Sequence, residues 1–323
     1  MKKLFIVGLF FLFAGNIFAV VDSTFIRYKL LNDADSALIE YKDNDYTLKL
    51  KLAHLNYLNA ERKKNKVGTL KLDILASRVA NKMAREAATH HFVGHMSLDG
   101  LKPYHRYAFA GGKDHVSENA SGYWTNSEGK TDSATTMKWM KLQHDGFMKE
   151  VAPNDAHKKN CLDKFHTHVG IGFYMSAKDF FYYEEYIDRA FTFESVPDTV
   201  NVKQEFTFKV KVQPQQFISA LMAYYEPEPY PIDVEDAKEE RTYDDFTNVV
   251  AAEILPWDLA KLRKGEEYEI KLMFKKPGLY YINLYRDFKE ETVKGEFTSK
   301  GKMQACGIVI VANAAATPPR SLP

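Results

Sequence analysis

Apolar residues keep one spacing up to about residue 150 and another after Pro197, and this switch limits the fold more than any single motif does. Leu48, Leu52, Leu55 and Leu58 recur at helical spacing between Tyr46 and Lys64, and Arg62-Lys63-Lys64 suit a helix C-terminus. Gly68 stops that pattern, and Asp73 opens a second one in which Leu75, Val79, Met83 and Ala87 share a face to about Thr89. A third helix is expected from Thr131 to Phe147, broken by Pro153-Asn154-Asp155. Val169, Ile171 and Phe173 then alternate with glycines, and 180–187 adds an aromatic strand-like run. Gly170 and Gly172 read as places of close backbone approach, because no helix N-terminus follows to make a phosphate cradle.

Beyond Pro197 the pattern is dominated by alternation. Phe206, Phe208, Val210 and Val212 alternate with Thr207, Lys209 and Lys211, and 220–225, 268–274, 279–285 and 305–311 are further short β patterns. Pro277-Gly278 marks a hairpin turn, and the acidic, proline-dotted stretch 226–245 reads as a surface loop. The expected class is α+β: a mixed unit over 46–193, then an all-β, immunoglobulin-like sandwich over 194–312 and a disordered tail at 313–323. Residues 20–45 form a lead-in with one helix near 33–41.

Lys2 and Lys3, the apolar run 4–14 and the small Ala19 read as a signal peptide over 1–19. An uncleaved anchor needs about 18 apolar residues, and Asn16 interrupts the run. The cut site has no cysteine for lipid attachment, and no later segment is apolar enough to span a membrane. A secreted, extracellular or periplasmic location follows. With 44 Lys+Arg against 43 Asp+Glu the formal charge is +1, and loss of Lys2 and Lys3 takes it to −1, so nucleic acid is not an expected partner. Two cysteines, Cys161 and Cys306, do not make a disulfide framework; they form one bridge between the units or stay as two buried thiols.

Three segments of the first unit place metal-capable side chains beside turns: Gly94 to Gly100 with His95, Ser117 to Ala120 with Glu118, and Pro153 to His157. A lone histidine on a turn says little. In this order, however, they resemble the CAP superfamily (cysteine-rich secretory proteins, antigen 5, pathogenesis-related proteins; SCP domains), over residues 46–190. The blocks are Leu55-Asn56-Tyr57-Leu58-Asn59-Ala60-Glu61-Arg62; Leu70-Lys71-Leu72-Asp73; His95-Met96-Ser97-Leu98-Asp99-Gly100-Leu101-Lys102-Pro103-Tyr104; Glu118-Asn119-Ala120; and His157 to Asp163 followed by His168-Val169-Gly170-Ile171-Gly172. The resemblance implies an α-β-α sandwich whose cleft gathers His95, Glu118 and His157. It departs from many eukaryotic relatives at a fourth position, a Glu about one turn after a Trp. Here Trp139 is followed by Leu142, Gln143 and His144, so the tetrad is incomplete unless His144 substitutes. His166 and His168 read as packing or polar surface, and Ser97 lacks a nucleophile-elbow context.

Two functions compete. The resemblance implies a non-catalytic extracellular binding module for an envelope molecule or a lipid, its cleft able to take a divalent metal such as Zn2+, with the sandwich as an adhesion or docking unit. The alternative is a zinc-dependent, peptidase-like hydrolase in which His95 and His157 hold the metal and Glu118 is the general base. Catalytic zinc usually has three protein ligands, so His144 or Glu118 would have to supply the third, which weighs toward the non-enzymatic reading.

Overall fold

The computed structural model describes residues 23–239 and 249–314. The expected signal peptide and nearly all of the expected tail lie outside the described residues, as does part of the acidic stretch.

Local signals place the helices of the first unit. Residues 23–34 form α1 and Ile39–Tyr41 a 3-10 turn, so the lead-in helix comes earlier than 33–41. This segment is built into the unit: Tyr28 is buried in its core, and the buried Arg78 guanidinium donates to the carbonyls of Asn32 and Ala37. α2 (Asp45–Lys64) is capped by Asn44, which accepts from the Thr47 amide. α3 (Ile74–His90) is capped by Asp73, which accepts from the Ala76 amide at 2.8 Å. α4 (Pro103–Phe109) begins on a proline, α5 (Ser133–Met148) on the cap Asp132, and α6 (Ala156–Cys161) follows the Pro153 break.

Between these helices lies one sheet with strand order β1-β3-β4-β2: β1 (Lys71–Leu72), β2 (His115–Trp124), β3 (His168–Met175) and β4 (Asp179–Asp188). Successive strand residues face opposite layers. Phe181 and Tyr183 pack with Ala80, Met83 and Ala84 of α3, whereas Phe180, Tyr182 and Tyr186 pack with Leu48, Leu55 and Leu58 of α2 and Met140 and Phe147 of α5. This is an α-β-α sandwich. A Cβ at Gly170 or Gly172 would lie 2.3 Å from the Ala76 carbonyl carbon or 2.2 Å from that of Ala80, so α3 can approach β3 only because both are glycine.

The second unit has two sheets. β5 (Thr192–Glu194), β7 (Glu205–Lys211), β10 (Arg263–Lys264) and β11 (Glu267–Met273) make one; β6 (Thr199–Asn201), β8 (Phe217–Glu226), β9 (Val250–Ile254), β12 (Gly278–Asp287), β13 (Met303–Gln304) and β14 (Ile308–Asn313) make the other. Phe208, Val210 and Ile270 meet Leu221, Ile282, Leu284 and Ile310 between the sheets in one apolar core. Two expectations fail here. Pro277-Gly278 does not close a hairpin: β11 pairs with β7 and β12 with β8, so the turn carries the chain from one sheet to the other. The stacked rings of Phe274 and Tyr280, centroids 3.6 Å apart, hold that crossing.

The acidic stretch is not simply a surface loop either. Glu226 is buried, accepting from the Tyr104 hydroxyl and pairing with His105 Nε2 at 2.6 Å. Beyond it Ile232 and the short α7 (Val234–Lys238) pack on the α3 core. The units also share an apolar cluster in which Tyr104, Val79 and Ile187 of the first meet Leu279, Tyr281 and Val309 of the second, with the Tyr104 and Tyr281 rings 4.2 Å apart. Cys161 and Cys306 are both buried free thiols, which decides between the two readings left open by the sequence.

Candidate functional site

β2 is an edge strand, and its pairing with β4 sets Glu118 opposite Glu185 and Asn119 opposite Glu184. Alternation therefore gives each face of the sheet one pair, and the two pairs enter different environments.

On the α3 side, Glu118 is fully buried, with Oε1 2.8 Å from His95 Nδ1 and Oε2 accepting from Arg106 Nη2. Arg106, on α4, also donates to the His95 carbonyl at 2.6 Å, so one guanidinium fixes both the loop and the acid. Burial pushes the Glu118 carboxyl up, but the Arg106 charge and the His95 hydrogen bond outweigh it and hold the group below its usual range. Glu185 goes the other way: burial and the neighbouring Glu118 charge push it well above the carboxylate range. One arginine thus stands against both buried acids, with Nη2 on Glu118 and 3.6 Å from Glu185 Oε1.

On the other side of the β2 edge, His157 opens α6 and its ring lies 6.4 Å from that of His95, centroid to centroid. His157 Nδ1 meets Glu150 Oε1 at 2.5 Å, and its own amide donates to Glu150 Oε2 at 3.0 Å. The two imidazoles are therefore built alike. A carboxylate accepts from Nδ1–H in each, which makes Nε2 the basic nitrogen, and their side chains are 23% and 32% exposed, enough for a solute to reach.

The structure brings His95, Glu118 and His157 together and does not bring His144 to them. His144 is buried with its Nδ1 2.8 Å from Glu184 Oε1, on the α2–α5 side of the sheet, so its proposed place in the cleft tetrad is corrected. Helix phase aims it there: Met140, His144 and Phe147 share the buried stripe of α5. The fourth member is Glu150, just past the end of α5. The sequence carries the signal, since Phe147 stands three residues before Glu150, an aromatic-to-acid spacing of one turn, whereas the expectation took the turn after Trp139. Arg106 and Glu185 left no such trace. His166 is buried between Asp188 and Asn160, a structural role. Tyr123 stacks on Trp139 at 5.1 Å, walling a separate shallow cavity of about 330 Å³.

Paired imidazoles with carboxylate supports at a sheet edge, inside an α-β-α sandwich, define a class of domain. The profile of the cysteine-rich secretory protein family, CAP, matches residues 55–186, and the first unit of this chain is a CAP domain. No curated protein matches the chain. Among solved structures, an extracellular protein containing an SCP domain from Bacillus anthracis is 20% identical, covering 41% of this chain and 38% of its own, with a TM-score of 0.31. An outer surface protein from Borrelia burgdorferi is 14% identical over 44% of this chain and 94% of its own, TM-score 0.34. A superoxide reductase (neelaredoxin) from Ignicoccus hospitalis is 15% identical over 39% and 81%, TM-score 0.21. The chain thus spans well under half of the Bacillus protein. Among the described residues no helix is long and apolar enough to cross a membrane.

Proposed function

We propose that the chain is a secreted binding protein whose CAP cleft takes a divalent cation such as Zn2+ between His95 and His157. The observation that supports this most is the matched construction of the two imidazoles, each oriented through Nδ1 by its own carboxylate, Glu118 or Glu150. Such outer carboxylates fix the ring and raise the basicity of Nε2, which suits a borderline cation. When bound, the ion supplies a Lewis-acidic point that can take an oxygen or nitrogen ligand from a partner. That partner is expected outside the cytoplasm, as an envelope molecule or a lipid headgroup.

The hydrolase reading draws less support. A general base must be able to reach the metal-side water, and Glu118 has one oxygen on His95 and the other on Arg106. Its place is that of a support for the ring.

Calorimetric titration of zinc into the chelator-treated protein tests the proposal. A saturable component lost in His95→Ala/His157→Ala, and weakened about 10- to 100-fold by Glu150→Gln, is expected. A titration that the double variant leaves unchanged overturns it.

A further inference from the structure

The second pair on β2 and β4, Asn119 and Glu184, faces a cluster that the cleft does not use. His144 Nδ1, Cys161 Sγ and a Glu184 carboxylate oxygen lie within 4.8 Å of one another, and all three residues are buried. They come from α5, α6 and β4, so the fold and not local sequence gathers them. We infer that His144, Cys161 and Glu184 form a second, buried site for a borderline divalent transition metal, Zn2+ in ordinary conditions, separate from the His95–His157 cleft.

The geometry carries this in three ways. First, the thiol stands off its two proposed co-ligands: Sγ accepts from Asn119 Nδ2 at 3.2 Å but is 3.9 Å from His144 Nδ1 and 3.7 Å from Glu184 Oε2. Bonds of about 2.0 to 2.3 Å from a tetrahedral zinc put its ligands roughly 3.3 to 3.7 Å apart, so the sulfur already stands near the corner of such a polyhedron. Only the His144–Glu184 contact, at 2.8 Å, has to open. Second, Glu184 is surrounded by donors that would hold a metal-bound carboxylate in place: the Tyr182 hydroxyl at 2.6 Å, the Tyr186 hydroxyl at 2.9 Å and Asn119 Nδ2 at 3.2 Å. Third, the Tyr182 hydroxyl is itself held by His54 Nε2 at 2.6 Å, which fixes the donor to Glu184 from behind.

The charge balance also closes. As a divalent cation enters, the Cys161 thiol gives up its proton, and the resulting thiolate and the Glu184 carboxylate together match the ion's two positive charges. One nitrogen, one thiolate and one carboxylate select zinc and its neighbours over magnesium or calcium, which prefer oxygen alone. Because the cluster is sealed, the ion is taken up as the domain folds.

Cobalt(II) distinguishes this site from the cleft, since only a thiolate ligand gives sulfur-to-cobalt charge-transfer absorption in the near-ultraviolet. The chelator-treated full chain is given cobalt both in the native state and during refolding from urea. The expected band is present in the wild type, kept in Cys306→Ser and in His95→Ala/His157→Ala, and lost in Cys161→Ser. No band in the wild type under either treatment, or a band that survives Cys161→Ser, overturns the inference. The wild-type and Cys306→Ser spectra decide it even where Cys161→Ser fails to fold. Loss of zinc binding in the cleft variant leaves this site untouched, so the two proposals fail separately.

Discussion

The two units solve burial in opposite ways. Between its sheets the sandwich encloses Phe208, Val210, Ile270, Ile282 and Ile310 in a nearly pure apolar core. The CAP unit, by contrast, buries Lys51, His54, Arg78, Arg106, Glu118, His144, Glu184, Glu185 and Asp188. Buried charges are tolerated when they have partners: Lys51 sits 2.7 Å from Asp43, and Asp188 lies between His166 and His115 at 2.6 and 3.0 Å. The difference teaches where chemistry can reside. An apolar core gives rigidity, while a polar core holds ligands in fixed positions at some expense of stability.

The contrast can be broken most severely at Arg106. Arg106→Met should lower the unfolding free energy by about 3–5 kcal/mol in urea titration, because two buried acids lose their cation; a loss below about 1 kcal/mol would show that water, not Arg106, satisfies them. At the junction, Glu226→Gln should cost about 1–3 kcal/mol by weakening the charged bonds to His105 and Tyr104. It should also broaden or split the thermal transition in calorimetry, whereas an unchanged single transition means the shared apolar cluster alone couples the units. In the sandwich, Ile270→Val should cost only about 0.5–1.5 kcal/mol, a methylene's worth, with the midpoint shifted and the slope retained.

The contrast also shows in pH dependence. Burial, and after it the Arg189 charge, pulls His168 down to about 4, against the attraction of Asp73 and with Lys71 adding to the repulsion. The unfolded chain then binds a proton that the folded chain refuses between pH 6.5 and 4, so this contribution is present above 6.5 and is lost as pH falls toward 4. His168→Gln should flatten the melting temperature over that window. Below it, Asp188 continues the trend: burial raises its carboxyl, but the hydrogen bonds of His115 and His166 take it down to about 2, so its contribution holds above about pH 4 and is lost as pH falls toward 2. A slope that persists in His168→Gln assigns the upper window to another histidine.

Much of the molecule was legible in the sequence because it is locally encoded. The cap Asp73, the helical leucines of α2, the glycines of β3 and the alternation of β7 each act within a few residues of themselves. The ordered blocks around His95, Glu118 and His157 named the family for the same reason. Misreadings arose where a residue's partner is remote. Pro277-Gly278 is a turn in either topology, and only the ring stack of Phe274 on Tyr280 with the pairing of β12 to β8 shows which sheet follows. The 226–245 composition is that of a loop, yet Glu226 meets α4 more than a hundred positions earlier.

The sequence by itself thus determined the main helices of the first unit, the alternating strands of the second and the motif blocks that carry His95 and His157, since periodicity, capping and motif spacing are short-range properties of the chain. Tertiary structure alone decided that Glu150 supports His157, that Arg106 pairs with Glu118 beside the buried Glu185, and that His144 turns away from the cleft to meet Cys161 and Glu184. The physical reason is the register of one strand pair. Setting Glu118 against Glu185 and Asn119 against Glu184 sends adjacent residues to opposite faces of the sheet, and what each meets there depends on helices packed from distant parts of the chain.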